Sequence, residues 1–198
     1  MDTLWTGISW VARVFAWIGG AMIMVAALIV STEVISRKLL AFPFSGSDEV
    51  GAYLFAVGTS WSMAFVLVTR GHVRIDALYG AFSPFVRAIL DLVALVCLAT
   101  LVIALADRAW ELVSDNLAGW NRSNTPLRIA LPYPQLPWFF GFALFLFAIV
   151  IAALRALLAL VRGDYAKVAA TVGVPSQDEE VKGELEGLGI GSERVEKA

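Results

Sequence analysis

Four long apolar runs, separated by short polar stretches, organise this 198-residue chain. Crossing the hydrocarbon of a bilayer takes about 20 apolar residues of helix. The first run extends from about Val14 to Ile35 and the second from Val50 to Thr69. The third extends from about Phe85 to Val113 and the fourth from about Pro137 to Val161. No charge interrupts the second between Glu49 and Arg70, and the third, with Asp91 in its first turns, is uncharged from Leu92 to Ala106. The first run is longer than a signal-peptide core of roughly 7–15 residues, and no small-residue cleavage site follows it, so it reads as a retained helix. Lipid offers no partner to a bare backbone amide, so all four read as continuous helices. The predicted fold is an all-α integral membrane protein with four transmembrane helices and an interfacial connection between helices 3 and 4.

Local signals refine the helix starts. In "FSGSDEV", Ser45 or Ser47 is the expected N-cap of the second helix, with Asp48 and Glu49 in the first turn, where the helix dipole favours negative charge. In "FSPFVR", Ser83 caps the third helix and Pro84 takes its first position. In "LPYPQLPW", Pro137 suits the first turn of the fourth helix, while Pro132 and Pro134 keep the approach extended. The connection before it is polar with scattered apolar residues, among them Trp110, Trp120, Leu127, Ile129 and Leu131. It reads either as a loop in the headgroup layer or as a surface that docks a periplasmic partner. Trp10, Trp110, Trp120, Tyr133 and Trp138, with Trp5, lie near predicted span ends, where amphipathic rings act as membrane-interface anchors. Residues 1–172 are thus expected to form the membrane domain. From 173 to 198 the chain is acidic, glycine-bearing and free of aromatics, the composition of a mobile cytoplasmic tail.

Composition agrees with the pattern. The chain is 59% hydrophobic and 16% charged, against about a quarter charged in soluble domains. The net charge of −2 and the lack of a basic stripe give no footprint for nucleic acid. The single Cys97 can form neither an internal disulfide nor a thiolate cage. With the N-terminus inside, the inner face receives Arg13, Arg70, Arg74, Arg87, Arg155, Arg162 and Lys167. The outer face receives Arg37, Lys38, Arg108, Arg122 and Arg128. Seven against five favours the N-in, C-in orientation.

Candidate chemistry is sparse. The only histidine, His72, sits in "TRGHVRIDAL" between Arg70 and Arg74, with Asp76 four residues on. One histidine and one cysteine on separate segments do not make a zinc site, and a bis-histidine haem needs a second histidine. No phosphate-binding or dinucleotide glycine pattern occurs. No enzyme activity, cofactor or metal is expected. A transport path through this chain alone would need polar groups or broken helices near the midplane, and the span centres offer only small residues and hydroxyls. Asp91 is expected to pair with Arg87 on its own helix face or to meet the headgroups, with a contact to another helix as the alternative. Small residues recur at four-residue steps, Ala12, Ala16 and Gly20 in the first span and Ala52, Ala56, Ser60 and Ala64 in the second, a pattern that permits close helix contact. What remains is a chain that holds something else in the membrane. A membrane anchor of a redox enzyme is the alternative, and a self-assembling channel a further one.

One segment carries a resemblance. "STEVISRKLLAFPFSGSDEVGAYLFAVGTSWSMAFVLVTRGHVRIDAL", Ser31 to Leu78, resembles the small membrane subunit of tripartite ATP-independent periplasmic (TRAP) transporters. The matching features are Arg37 closing the first helix, Glu49 opening the second, and the turn Gly71, His72, Val73, Arg74, Ile75 and Asp76. "NTPLRIALPYPQLPWFFGFAL" is similar to that family's proline-bearing entry into its last helix. The resemblance spans about Trp10 to Arg162 and leaves out the acidic tail. It implies a prokaryotic secondary transporter of the inner membrane, usually sodium-coupled, in which a periplasmic binding protein captures an organic acid. A large membrane subunit then carries the substrate, while the small subunit scaffolds it and helps dock the binding protein. Gly71 would permit a sharp exit from the second helix, with Arg70 and Arg74 at the headgroups. His72 and Asp76 would order the turn or touch the large subunit. Arg37 and Glu49 would form a surface ion pair or contact a partner.

Overall fold

The computed structural model describes residues 2–42, 45–71 and 82–173. Among the described residues there are five helices and one isolated bridge, Arg122 to Ala130. They are α1 (Asp2–Leu40), α2 (Ser47–Val68), α3 (Pro84–Gly119), α4 (Pro132–Val161) and α5 (Tyr165–Val172). The first four are long and apolar enough to span a membrane. The chain is therefore an all-α, multi-pass membrane protein.

The helices outrun the hydropathy. The 39 residues of α1 measure about 58 Å at 1.5 Å per residue, roughly twice the hydrocarbon thickness. Apolar content reports depth in the bilayer, whereas a helix continues until something stops it. α1 stops where Ala41 turns left-handed (φ 51°) and the Ser36 hydroxyl donates to the Phe42 carbonyl at 2.8 Å. α3 likewise runs six residues past Val113 to Gly119.

Two expected helix starts need correction. The N-cap of α2 is Gly46, in the left-handed region at φ 94°, rather than Ser45 or Ser47. A Cβ at Gly46 would also meet Leu127 at 2.3 Å, so the cap position is taken by a backbone that only glycine adopts easily. α4 begins at Pro132, which puts Pro134 in its first turn and Pro137 inside the helix. The first-turn amides need no intrahelical acceptor, so Pro132 and Pro134 fit there without loss. The Ser83 cap is present: its hydroxyl accepts from the Val86 amide at 3.5 Å, with Pro84 next to it.

Three helices end in the same motif, a left-handed residue with paired backward hydrogen bonds. At α4 the residue is Gly163 (φ 72°), with Asp164 N bonding Ala159 O at 2.9 Å. At α3 it is Trp120 (φ 46°), with Asn121 N on Asn116 O at 3.0 Å. At α2 it is Arg70 (φ 58°), with Gly71 N on Val66 O at 2.9 Å. The exit from α2 is thus made by Arg70 rather than Gly71. An L-residue there costs about 1–2 kcal/mol, and the Arg70 guanidinium offsets part of it by donating to the Ala169 carbonyl at 3.2 Å.

The spans stand in a row, α1–α2–α4–α3, with α5 folded against α4 and α3. α2 and α4 run parallel. The start of α2 meets the connection that leads into α4, through Glu49 and Ser123, and its end meets α5, which follows α4, through Arg70 and Ala169. The row has two open edges: within the most apolar stretch of each span, 33% of residues are buried in α2 and α4, 22% in α3 and 11% in α1.

Close approach holds the row. A Cβ on Gly19 would lie 2.5 Å from the Gly58 carbonyl oxygen, and one on Gly58 would lie 2.6 Å from that of Gly19. On the other side of α2, a Cβ on Gly141 would lie 2.4 Å from the Ser60 hydroxyl. The buried core is rich in alanine, including Ala12, Ala64, Ala148, Ala152 and Ala156, while Trp17, Met24, Val96 and Val161 face outward. Lipid tails are as apolar as leucine, so fit between small residues drives this packing more than hydrophobicity does. Of the small-residue stripes, Ala12, Ser60 and Ala64 are buried, whereas Gly20 and Ala52 are exposed.

Candidate functional site

The polar residues of the described chain gather at the two ends of the row. Between them, Thr59, Ser60, Ser62 and Thr100 each donate to a carbonyl of their own helix, at 2.7–3.0 Å. Their hydrogen-bonding capacity is largely used within the helix, so no polar path lines the middle of the spans. Among the described residues no cluster of histidine, cysteine, aspartate or glutamate could hold a metal ion.

At the end carrying the 120–131 connection, Glu49 is the organising group. Its carboxylate accepts from the Tyr53 hydroxyl at 2.8 Å and the Ser123 hydroxyl at 2.6 Å, and also from the Thr125 hydroxyl. Tyr53 lies one turn along α2, so this contact is local. Ser123 and Thr125 arrive from the far side of α3. The connection is itself folded back, with Ser123 N on Ile129 O and Leu131 N on Asn121 O, both at 2.9 Å, and a turn closed by Arg128 N on Thr125 O at 3.1 Å. Its tip, Leu127, packs on Gly46. An amide network ties its base: Asn116 donates to Gln135 and Asn121 donates to Asn116, each at 3.0 Å. The result is a fixed platform with the exposed Arg122 and Arg128 side chains on it.

Arg37 does not join Glu49. It lies in the last turn of α1, exposed, with its Nε 3.6 Å from Glu33 on the same helix. Glu33 is only 4% exposed and one of its carboxylate oxygens has no hydrogen-bond partner. The aromatic residues mostly collect at this end as pairs: Trp120 edge-on to Tyr133 at 5.9 Å, Trp138 edge-on to Phe142 at 5.1 Å, and Trp110 tilted over Phe139 at 5.2 Å. Trp10 stands apart, exposed on α1 toward the opposite end.

At that opposite end Arg70, Arg87 and Arg155 are engaged by the chain itself. Arg155 lies over the ring of Trp5, 5.0 Å from its centroid. Arg87 donates its Nε to the Phe82 carbonyl at 2.8 Å, which directs it back toward the helix start. Arg37–Glu33 and Arg108–Glu111 form ion pairs within their own helices. Asp91 is buried beside a pocket of about 310 Å³ bounded by α3 and α5. α5 was not anticipated. Asp164 caps it by accepting from Lys167 N at 3.0 Å, and Val168, Thr171 and Val172 are buried. His72, Arg74 and Asp76 lie outside the described residues, as does the acidic tail from 174 onward.

The sequence pointed to Glu49 but not to Ser123, Thr125, Asn116 or Gln135. Their only signal was a polar cluster in an otherwise greasy chain, and the sequence separation of 74 from Glu49 to Ser123 hides the pairing. What the Glu49 contacts do is fix one face of one end.

A family model described as "Tripartite ATP-independent periplasmic transporters, DctQ component" matches residues 26–159. The match takes in the second part of α1, all of α2 and α3, the Glu49 platform and nearly all of α4. No curated protein matches the chain.

Proposed function

The chain belongs to the DctQ component family of tripartite ATP-independent periplasmic transporters, and from that membership we propose that it is the small scaffold subunit of a prokaryotic inner-membrane secondary permease rather than the substrate carrier itself. Family membership makes it a transporter subunit and not an enzyme, working with a large membrane subunit and a substrate-binding protein. In our reading the large subunit packs along the open row and carries an organic acid, coupled to sodium. The 120–131 platform faces the periplasm and helps dock the binding protein, with the N- and C-termini in the cytoplasm and residues 173–198 a mobile tail there. His72, Arg74 and Asp76 then belong to the inner turn after Gly71, and Trp10, Trp110, Trp120, Tyr133 and Trp138 to the interfaces.

The observation that carries this reading is the contrast between the two parts of the molecule. The span centres hold no polar groups left over for a substrate, while the connection is pinned to α2 by two hydroxyls, Ser123 and Thr125, on Glu49. A redox anchor would need cofactor ligands, and the described residues supply no cluster of them.

The test is affinity purification of the tagged chain from native membranes, followed by reconstitution. A large polytopic protein at near-equal amount, and sodium-driven uptake that requires the binding protein, support the proposal. Recovery with a soluble redox enzyme refutes it. Arg122→Ala with Arg128→Ala should lower uptake that depends on the binding protein and leave co-purification of the large subunit unchanged. Unchanged uptake would remove the docking role.

A further inference from the structure

α1 carries an uncharged run from Val14 to Thr32, bounded by Arg13 and Glu33. Its 19 residues cover about 28 Å at 1.5 Å per residue, close to the hydrocarbon thickness. Arg13 therefore sits at one headgroup boundary, on the end of the row where Trp5 meets Arg155. From that boundary a groove of about 590 Å³ runs toward the membrane centre. It is lined by the small residues Ala16, Gly20 and Ala21, by the larger Trp17, Met24 and Phe65, and by Arg13. The groove is open at Gly20: a Cβ there would meet nothing within 4 Å.

Arg13 also differs from Arg70, Arg87 and Arg155 at its end. Arg70 donates to Ala169, Arg87 to Phe82, and Arg155 lies over Trp5. Arg13 is exposed and makes no hydrogen bond, ion pair or ring contact among the described residues. A guanidinium at headgroup depth matches a phosphate, which it binds through paired N–H donors. Below it, the lining side chains are apolar apart from the indole N–H of Trp17, next to the mouth. The occupant must then be charged at one end and apolar along the rest, over roughly the 16 Å from residue 13 to residue 24.

We propose that this groove binds one anionic phospholipid, its phosphate on Arg13 and an acyl chain laid over Ala16, Gly20 and Ala21 between Trp17 and Phe65. The inference stands on α1 and α2 alone and does not depend on the proposed transport role. Binding of this kind fills the shallow face of the least buried span and ties the start of α1 to the headgroup layer.

The test uses the full-length chain with whatever subunit co-purifies, reconstituted in vesicles of phosphatidylcholine containing a photoactivatable phosphatidylglycerol. Crosslinks should map to the segment 13–24. Arg13→Ala should lower labelling about fivefold, the weight of one basic residue at an anionic surface, and Arg13→Lys should retain most of it. Gly20→Leu fills the groove and should also abolish the label there, while Arg162→Ala, an exposed arginine beyond α4, should change nothing. Equal labelling of wild type, Arg13→Ala and Gly20→Leu would overturn the proposal. So would equal labelling by a photoactivatable phosphatidylcholine. If the variants instead release the co-purifying subunit and the wild-type segment takes no label, the groove is a subunit contact and the proposal falls.

Discussion

Replacing Gly58 with alanine puts a methyl group 2.6 Å from the carbonyl oxygen of Gly19, where ordinary contact begins near 3.4 Å. Both groups belong to helix backbone, so no side chain can swing away. α1 and α2 must separate by about 0.8 Å at the crossing, and a radial gap of that size forfeits a quarter to a half of each atom-pair attraction, itself about 0.1–0.2 kcal/mol. Over the tens of pairs at a helix crossing the loss is about 1–3 kcal/mol, the range found when a packed core is overfilled. Alanine also gains helix propensity over glycine, about 1 kcal/mol, which would blur the comparison with wild type. Gly20→Ala removes that ambiguity, because it makes the same gain one residue along α1 with nothing within 4 Å. The expected result is that Gly58→Ala unfolds about 1–3 kcal/mol more easily than Gly20→Ala. The assay is equilibrium unfolding in mixed detergent micelles, followed by tryptophan fluorescence. A difference below about 0.5 kcal/mol, the usual scatter for substitutions away from any packed feature, would refute the glycine-to-glycine crossing. Gly19→Ala combined with Gly58→Ala should cost less than the two separately, since the first methyl already opens the gap that the second needs.

Other sites extend the reasoning. Gly141→Ala meets Ser60 at both its side chain and its carbonyl carbon, at 2.4–2.7 Å; it should loosen α2 from α4, and Ser60→Gly should restore part but not all of the lost thermal stability. Glu49→Ala leaves the Tyr53, Ser123 and Thr125 hydroxyls without their shared acceptor, so hydrogen exchange should rise across 121–131 and stay unchanged in α3; unchanged exchange in the connection would show that Glu49 does not hold it. Asp164→Ala removes the cap of α5 and should cost about 1 kcal/mol, seen as faster proteolysis after Lys167 with the four spans intact.

The sequence by itself determined how many spans there are and roughly where. A bilayer demands an apolar run of fixed length, so four runs mean four helices whatever they touch. It also placed the Ser83 cap, because capping depends on residues three apart. It misjudged the start of α4, since prolines at Pro132 and Pro134 fit a first turn as well as an extended approach, and local preference cannot separate the two. It passed over α5, whose eight residues are too few to form a helix without packing and show no apolar run of membrane length. Only the tertiary structure decided that α2 lies between α1 and α4, that Arg70 rather than Gly71 makes the turn, and that Glu49 is met by Ser123 and Thr125. The reason is physical. In a soluble protein, burial separates greasy positions from polar ones and so writes the packing face into the pattern. In a membrane both faces of a helix are apolar, and the choice of neighbour rests on shape, on where a glycine lets two backbones meet. Shape is a property of the folded pair, and Gly20 reads the same as Gly19 until α2 is laid against one of them.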